Sequence, residues 1–117
     1  MYDFPPFMKN EKNKIDATSQ FTDDIEGYVY DGADGSQMAF WTCKKDRASE
    51  EHIHDFDEYT VVVKGCAILT LDGEKHVLHA GDEIYMPKGT RITCEVTAGT
   101  RTIHAFGGKR AERVHQI

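Results

Sequence analysis

Turn signals punctuate the second half of this chain so closely that no long helix fits between them. Gly65, Asp72-Gly73, Gly81, Pro87-Lys88-Gly89, Ala98-Gly99 and Gly107-Gly108 separate short apolar and β-branched runs at 58–64, 66–71, 75–78, 82–86, 91–96 and 100–106. Asp-Gly tolerates the positive φ that a two-residue hairpin turn demands, so 66–71 and 75–78 are expected to pair. Pro-x-Gly ends the next run in the same way. Upstream, 27–30 and 37–43 read as further strands across the loop 31–36, and 44–50 is a polar connection. Many short strands with turns between them predict an all-β sandwich or jelly roll. At 117 residues there is room for one core. Residues 1–27 read as an N-terminal arm, since Pro5-Pro6 forbids a helix there; 28–107 read as the barrel and 108–117 as a charged tail.

The strongest chemical signal is Glu51-His52-Ile53-His54-Asp55-Phe56-Asp57-Glu58. Side chains alternate faces along a strand. His52, His54 and Glu58 therefore share a parity, while Ile53 and Tyr59 point the other way. Asp55 and Asp57 have the wrong parity, which makes Glu58 the better carboxylate. Two imidazoles and a carboxylate suit a divalent first-row transition metal such as iron, manganese, nickel or zinc, and three ligands leave coordination positions open.

Two spaced motifs extend this signal. His52-x-His54, three residues, Glu58, six residues and Gly65 is followed by Gly81, five residues, Pro87-Lys88-Gly89, two residues and Ile92. The pattern resembles the cupin superfamily. The resemblance implies a double-stranded β-helix, or jelly-roll barrel, with a metal held by the first motif and a small-molecule ligand. In two places the chain departs from the pattern: Asp46 replaces the opening glycine, and Ile92 stands where a histidine usually supplies a fourth ligand. That position is either vacant or filled by Cys94, two residues on, or by His104. A two-residue Ala98-Gly99 turn would pair Ile92 with Ala105 and turn His104 outward, whereas a longer loop or a bulge would turn it inward. The candidate metal ligands are thus His52, His54, Glu58 and His104.

The interior is expected to be lined by Met38 or Phe40, Thr60, Val62, and Tyr85 or Met86, with Tyr85 as the candidate catalytic acid. Arg91 and Arg101 are the cations expected near the barrel mouth, where either could clamp a carboxylate. His76, His79 and His115 are expected in solvent. The implied functions are metal-dependent chemistry on a small organic molecule (oxygenase, isomerase or lyase) or, alternatively, non-catalytic binding or sensing.

Composition removes other classes. A net charge of −6 and a pI near 5.4 argue against nucleic-acid or anionic-membrane partners. No apolar run approaches the roughly 20 residues of a membrane span. Residues 1–14 lack the apolar stretch of a signal peptide, so a cytoplasmic location is expected. Cys43, Cys66 and Cys94 form no disulfide or zinc pattern and read as reduced thiols. The aromatic run from Tyr2 to Met8 cannot build its own core; it is expected to dock on the barrel or to help assemble a homodimer.

Overall fold

In the computed structural model, which describes residues 3–16 and 24–115, the turn chemistry acts as the sequence predicts. Asp72 and Gly73 both take positive φ, 48° and 86°. The flanking strands pair without a break from Cys66↔His79 to Leu71↔Glu74. In chain order the strands are β1 (Ile25–Asp31), β2 (Gln37–Cys43), β3 (Arg47–Ala48), β4 (His52–Ile53), β5 (Glu58–Lys64), β6 (Cys66–Leu71), β7 (Glu74–His79), β8 (Glu83–Met86), β9 (Arg91–Val96) and β10 (Arg101–Phe106). They form two antiparallel sheets, one in the order β1-β2-β10-β5-β8 and the other in the order β3-β9-β6-β7. The short β4 also pairs with β9, beyond β3. The fold is an all-β jelly roll.

Alternation along the strands decides what lies between the sheets. On β5, Glu58, Thr60 and Val62 are buried, while Tyr59 is exposed on the opposite face. On β10, Thr102, His104 and Phe106 are buried. The apolar core, including Val29, Ala39, Val62, Leu78 and Phe106, fills the space between the sheets.

One expected pairing does not occur. β9 and β10 are not a hairpin: β9 pairs with β6, whereas β10 lies between β2 and β5 in the other sheet. The turn at Thr97–Thr100 is closed by the Thr100 N–H on the Thr97 carbonyl at 3.1 Å, and it carries the chain from one sheet to the other. A glycine turn signals a reversal; it does not say whether the returning strand pairs beside its predecessor or across the core.

The described parts of both terminal segments pack on the barrel. Pro6–Met8 and Glu11–Asn13 are short 3-10 turns. Phe4 packs on Phe40 at 4.8 Å between ring centroids and belongs to a second cluster with Tyr28. The Arg101 guanidinium lies 5.1 Å above the Phe4 ring, on the outer face of the barrel. Ile15 is buried and bridges to Arg113, whose guanidinium reaches Asp31 and the Val29 carbonyl. The first strand begins at Ile25, slightly ahead of the boundary read from sequence. Tyr2 of the aromatic run and residues 116–117 of the tail lie outside the described residues.

Candidate functional site

Between the two sheets lies a cavity of about 570 Å³. Trp41, Leu69, Met86 and Ile92 supply apolar wall, while His52, His54, Glu58, Thr60, Thr102 and His104 form a polar patch on it. The patch is assembled from three places: the β4 segment brings His52 and His54, β5 brings Glu58 and Thr60, and β10 brings Thr102 and His104. Pairing of His104 with Thr60 and of Phe106 with Glu58 fixes the β5–β10 register. In the second sheet Ile92 is paired directly with His52, so an apolar side chain faces the first histidine where the family pattern has a fourth ligand.

Glu58 is the electrostatic centre. It is 7% exposed, and burial alone would raise its pKa. Hydrogen bonds from His104, His54 and Thr60 overcome that and hold the carboxyl well below the usual carboxylate range. One carboxylate oxygen lies 3.3 Å from His54 Nε2; the other accepts from Thr60 Oγ1 at 2.7 Å and lies 3.1 Å from His104 Nδ1.

Proton accounting then fixes the histidines. The single hydroxyl proton of Thr60 is donated to Glu58, so Thr60 Oγ1 must accept from His104 Nδ1–H at 2.8 Å. The other ring nitrogen of His104, Nε2, stands 2.7 Å from Thr102 Oγ1, which donates to its lone pair in the neutral ring. Both nitrogens of His104 are thereby engaged, and Trp41 packs against the ring at a tilt, 4.2 Å between centroids. His104 thus faces the cavity, with Glu58, Thr60 and Thr102 as its hydrogen-bond partners.

His52 has the opposite arrangement. Its Nδ1 lies 3.0 Å from the Glu50 carbonyl, and a carbonyl can only accept, so Nδ1 carries the proton. Burial lowers the His52 pKa and favours the neutral ring. Its Nε2 then carries the lone pair, the tautomer that a metal-binding imidazole needs. His52 and the ionised Glu58 thus present the donors a divalent cation needs, and His54, whose Nε2 faces Glu58, would join them once a cation took the place of its proton. Among the described residues, however, no three His, Cys, Asp or Glu side chains stand, as they lie, in an arrangement that could hold a metal ion. Cys94 also lines the cavity, but burial pushes its thiol up to about 12, and it is not a thiolate as it stands.

Several expected residues lie elsewhere. Tyr85 is 57% exposed on the outer face, paired with the equally outward Tyr59. From there it cannot reach a reacting atom in the cavity; Met86, the next residue, is the one that faces in. Met38 and Phe40 also face outward, because β2 turns its odd-numbered residues, Ala39, Trp41 and Cys43, to the interior. Val62 does face the interior as expected, in the apolar core shared with Trp41, Leu69 and Met86, but is not one of the cavity-lining residues. Arg91 is exposed beside Asp72. The cations that do line the cavity are Arg47 and Arg110, neither of them anticipated. For Trp41 the signal was present: Gln37 to Cys43 alternates, and the choice of inner face decides everything.

The cupin-domain family model matches residues 39–105, and the chain belongs to the cupin superfamily. Among solved structures it is similar to KdgF from Halomonas sp., with 20% identity, TM-score 0.71, and coverage of 86% of this chain and 89% of that one. An RmlC-like cupin from Shewanella frigidimarina matches at 19% identity and TM-score 0.71, over 85% of this chain and 86% of that one. Salicylate 1,2-dioxygenase from Pseudaminobacter salicylatoxidans matches at 12% identity and TM-score 0.66, over 74% of this chain and 27% of the larger enzyme. At these identities the likeness concerns the fold. No curated protein sequence matches the chain.

Proposed function

We propose that this cupin binds a divalent first-row transition metal through His52, His54 and Glu58 and acts on a small organic molecule held in the cavity between its sheets. The observation that carries the reading is the buried Glu58 carboxylate, kept ionised beside His54 on the cavity wall. An ionised carboxylate and neutral imidazoles are the protonation states a metal requires of its ligands. A metal so held supplies Lewis-acid or dioxygen-activating chemistry. The chain's own groups do the rest. His104 and Thr60 orient Glu58, the Glu50 carbonyl sets the His52 tautomer, and Trp41, Leu69, Met86 and Ile92 keep water from the ligand's apolar flank.

Elemental analysis of protein purified without an affinity tag tests this. The wild type is expected to carry a transition metal, and the double variant His52→Ala, His54→Ala is expected to lose it while keeping its far-ultraviolet circular dichroism. Equal metal content in the two proteins would sink the reading.

The same reading includes a homodimer. Tyr30, Met38, Ala105, Tyr59 and Tyr85 lie in one register row across all five strands of the first sheet. Its four large side chains are each between 39% and 57% exposed. Such a row suits the matching face of a second copy. Light scattering after size exclusion is expected to give twice the chain mass, and Met38→Glu to give the monomer; a monomeric wild type rejects the assembly.

A further inference from the structure

We infer that Phe56 is a positioning residue: its ring, seated on Gly108, holds the His54 imidazole in the plane that turns Nε2 to Glu58. The inference rests on the reading that His54 and Glu58 belong to a metal site, and it adds the group that aims one of the ligands. The backbone of His54 is fixed, since its carbonyl accepts from the Gly89 N–H at 3.1 Å. Its ring is less constrained. The torsion that spins an imidazole is soft. The contact from Nε2 to Glu58, at 3.3 Å, is longer than the roughly 2.7–3.2 Å of a firm N–H···O bond. Packing therefore decides the plane. Phe56 lies against the imidazole nearly parallel, 4.8 Å between centroids at 19°, and His52 meets it edge-on at 4.8 Å and 70°. A side chain of similar bulk without a flat face would hinder displacement of the imidazole but not its rotation. The other imidazole on Glu58 is backed in the same way, by Phe106 stacked on His104 at 5.5 Å and 5°.

Phe56 is itself held in place. It is half-buried, packs on the apolar core and meets the buried Phe106 edge-on at 5.9 Å and 78°. The backbone after β10 comes close against it. A Cβ added at Gly108 would lie 3.0 Å from Phe56 Cδ2, 3.1 Å from its Cβ and 3.2 Å from its Cγ. Gly108 does not take positive φ, so glycine serves here by leaving space rather than by its backbone freedom. That backbone is pinned on both sides of Gly108. The Gly107 N–H bonds the Asp57 carbonyl at 2.8 Å. The buried Gln37 side chain accepts from the Arg110 and Ala111 N–H groups at 2.7 and 3.0 Å. The segment read from sequence as a charged tail thus backs the loop that carries His54.

Zinc affinity, read in competition with a chelator, and the His54 ring resonances of metal-free protein test this. Phe56→Leu, which keeps apolar bulk and removes the flat face, is expected to bind zinc about tenfold more weakly. At least one of Phe56→Tyr and Phe56→Trp, which restore a flat face, is expected to stay within about threefold of wild type. Val29→Ala, in the core away from the cavity wall, controls for stability: it is expected to lower the urea midpoint while leaving zinc affinity alone. Gly108→Ala keeps both rings, so a change in its His54 resonances reports a change in how they lie; it is expected to move them and to weaken zinc. Zinc affinity of Phe56→Leu equal to wild type overturns the inference. So does an equal loss of affinity in Val29→Ala at a matched midpoint, or a Gly108→Ala protein whose His54 resonances do not move. The two readings fail separately. Wild type that takes no zinc, while Gly108→Ala still moves the His54 resonances, sinks the metal reading alone; zinc-binding wild type indifferent to Phe56→Leu sinks this one alone.

Discussion

Replacing Glu58 with alanine is expected to cost about 3–5 kcal/mol of stability and to abolish metal binding. The carboxylate is 7% exposed and is the common partner of His54, His104 and Thr60. Its removal takes the acceptor from the Thr60 hydroxyl and the carboxylate partner from His54, while His104 keeps Thr60 and Thr102, and an unsatisfied buried group costs about 1–3 kcal/mol. Glu58→Gln keeps the shape and one acceptor oxygen, so it should lose less stability while still losing the metal. The pH dependence has a definite sign. The folded-state pKa of Glu58 is depressed, so its contribution is fully present above the unfolded value, about 4.3. That contribution is lost as pH falls through the folded value. Urea unfolding of metal-free protein should therefore show a wide gap between wild type and Glu58→Ala at pH 7 that narrows below about pH 4. Equal unfolding midpoints at pH 7 would mean that the His54–Glu58–His104 cluster does not support the fold.

The parts of this molecule that sequence reveals are those set by local chemistry. Asp72-Gly73 dictates its hairpin through φ, and the parity of His52, His54 and Glu58 follows from the strand period alone. What escaped depends on which strand lies beside which. Reading Ala98-Gly99 as a hairpin sends His104 outward; the real crossing from β9 to β10 places it between Thr60 and Thr102. Met38, Phe40 and Tyr85 were misread for a related reason: alternation divides a strand into two faces but does not say which face is inner. Arg110 was beyond reach for a different cause. Its place depends on Gln37, 73 residues earlier, and nothing local to a charged tail announces a buried amide waiting for its backbone.

Gly65→Ala is expected to be the most damaging single-methyl change in the barrel, at about 2–4 kcal/mol. Gly65 has φ +92° at the tight turn between β5 and β6. A Cβ there would lie 2.8 Å from the Thr100 Cα and 2.9 Å from its Cβ. Thr100 cannot yield easily: it is fully buried, sits at the crossing between the sheets, and bonds both the N–H and the carbonyl of Cys66 at 3.2 Å. Gly73 and Gly99 separate the two causes, because they have φ of +86° and +84° but nothing within 4 Å of an added Cβ. Alanine at those positions should cost only the conformational share, about 1 kcal/mol. The effect of Gly65→Ala should also reach the site. Thr100 leads directly into β10, and β5 and β10 together hold Glu58, Thr60 and His104 in register. Forcing Thr100 aside should therefore weaken metal retention against a chelator, whereas Gly73→Ala should leave it unchanged. Equal unfolding midpoints for the alanine variants at 65 and 73 would show that Thr100 gives way freely and that the crossing does not brace the site.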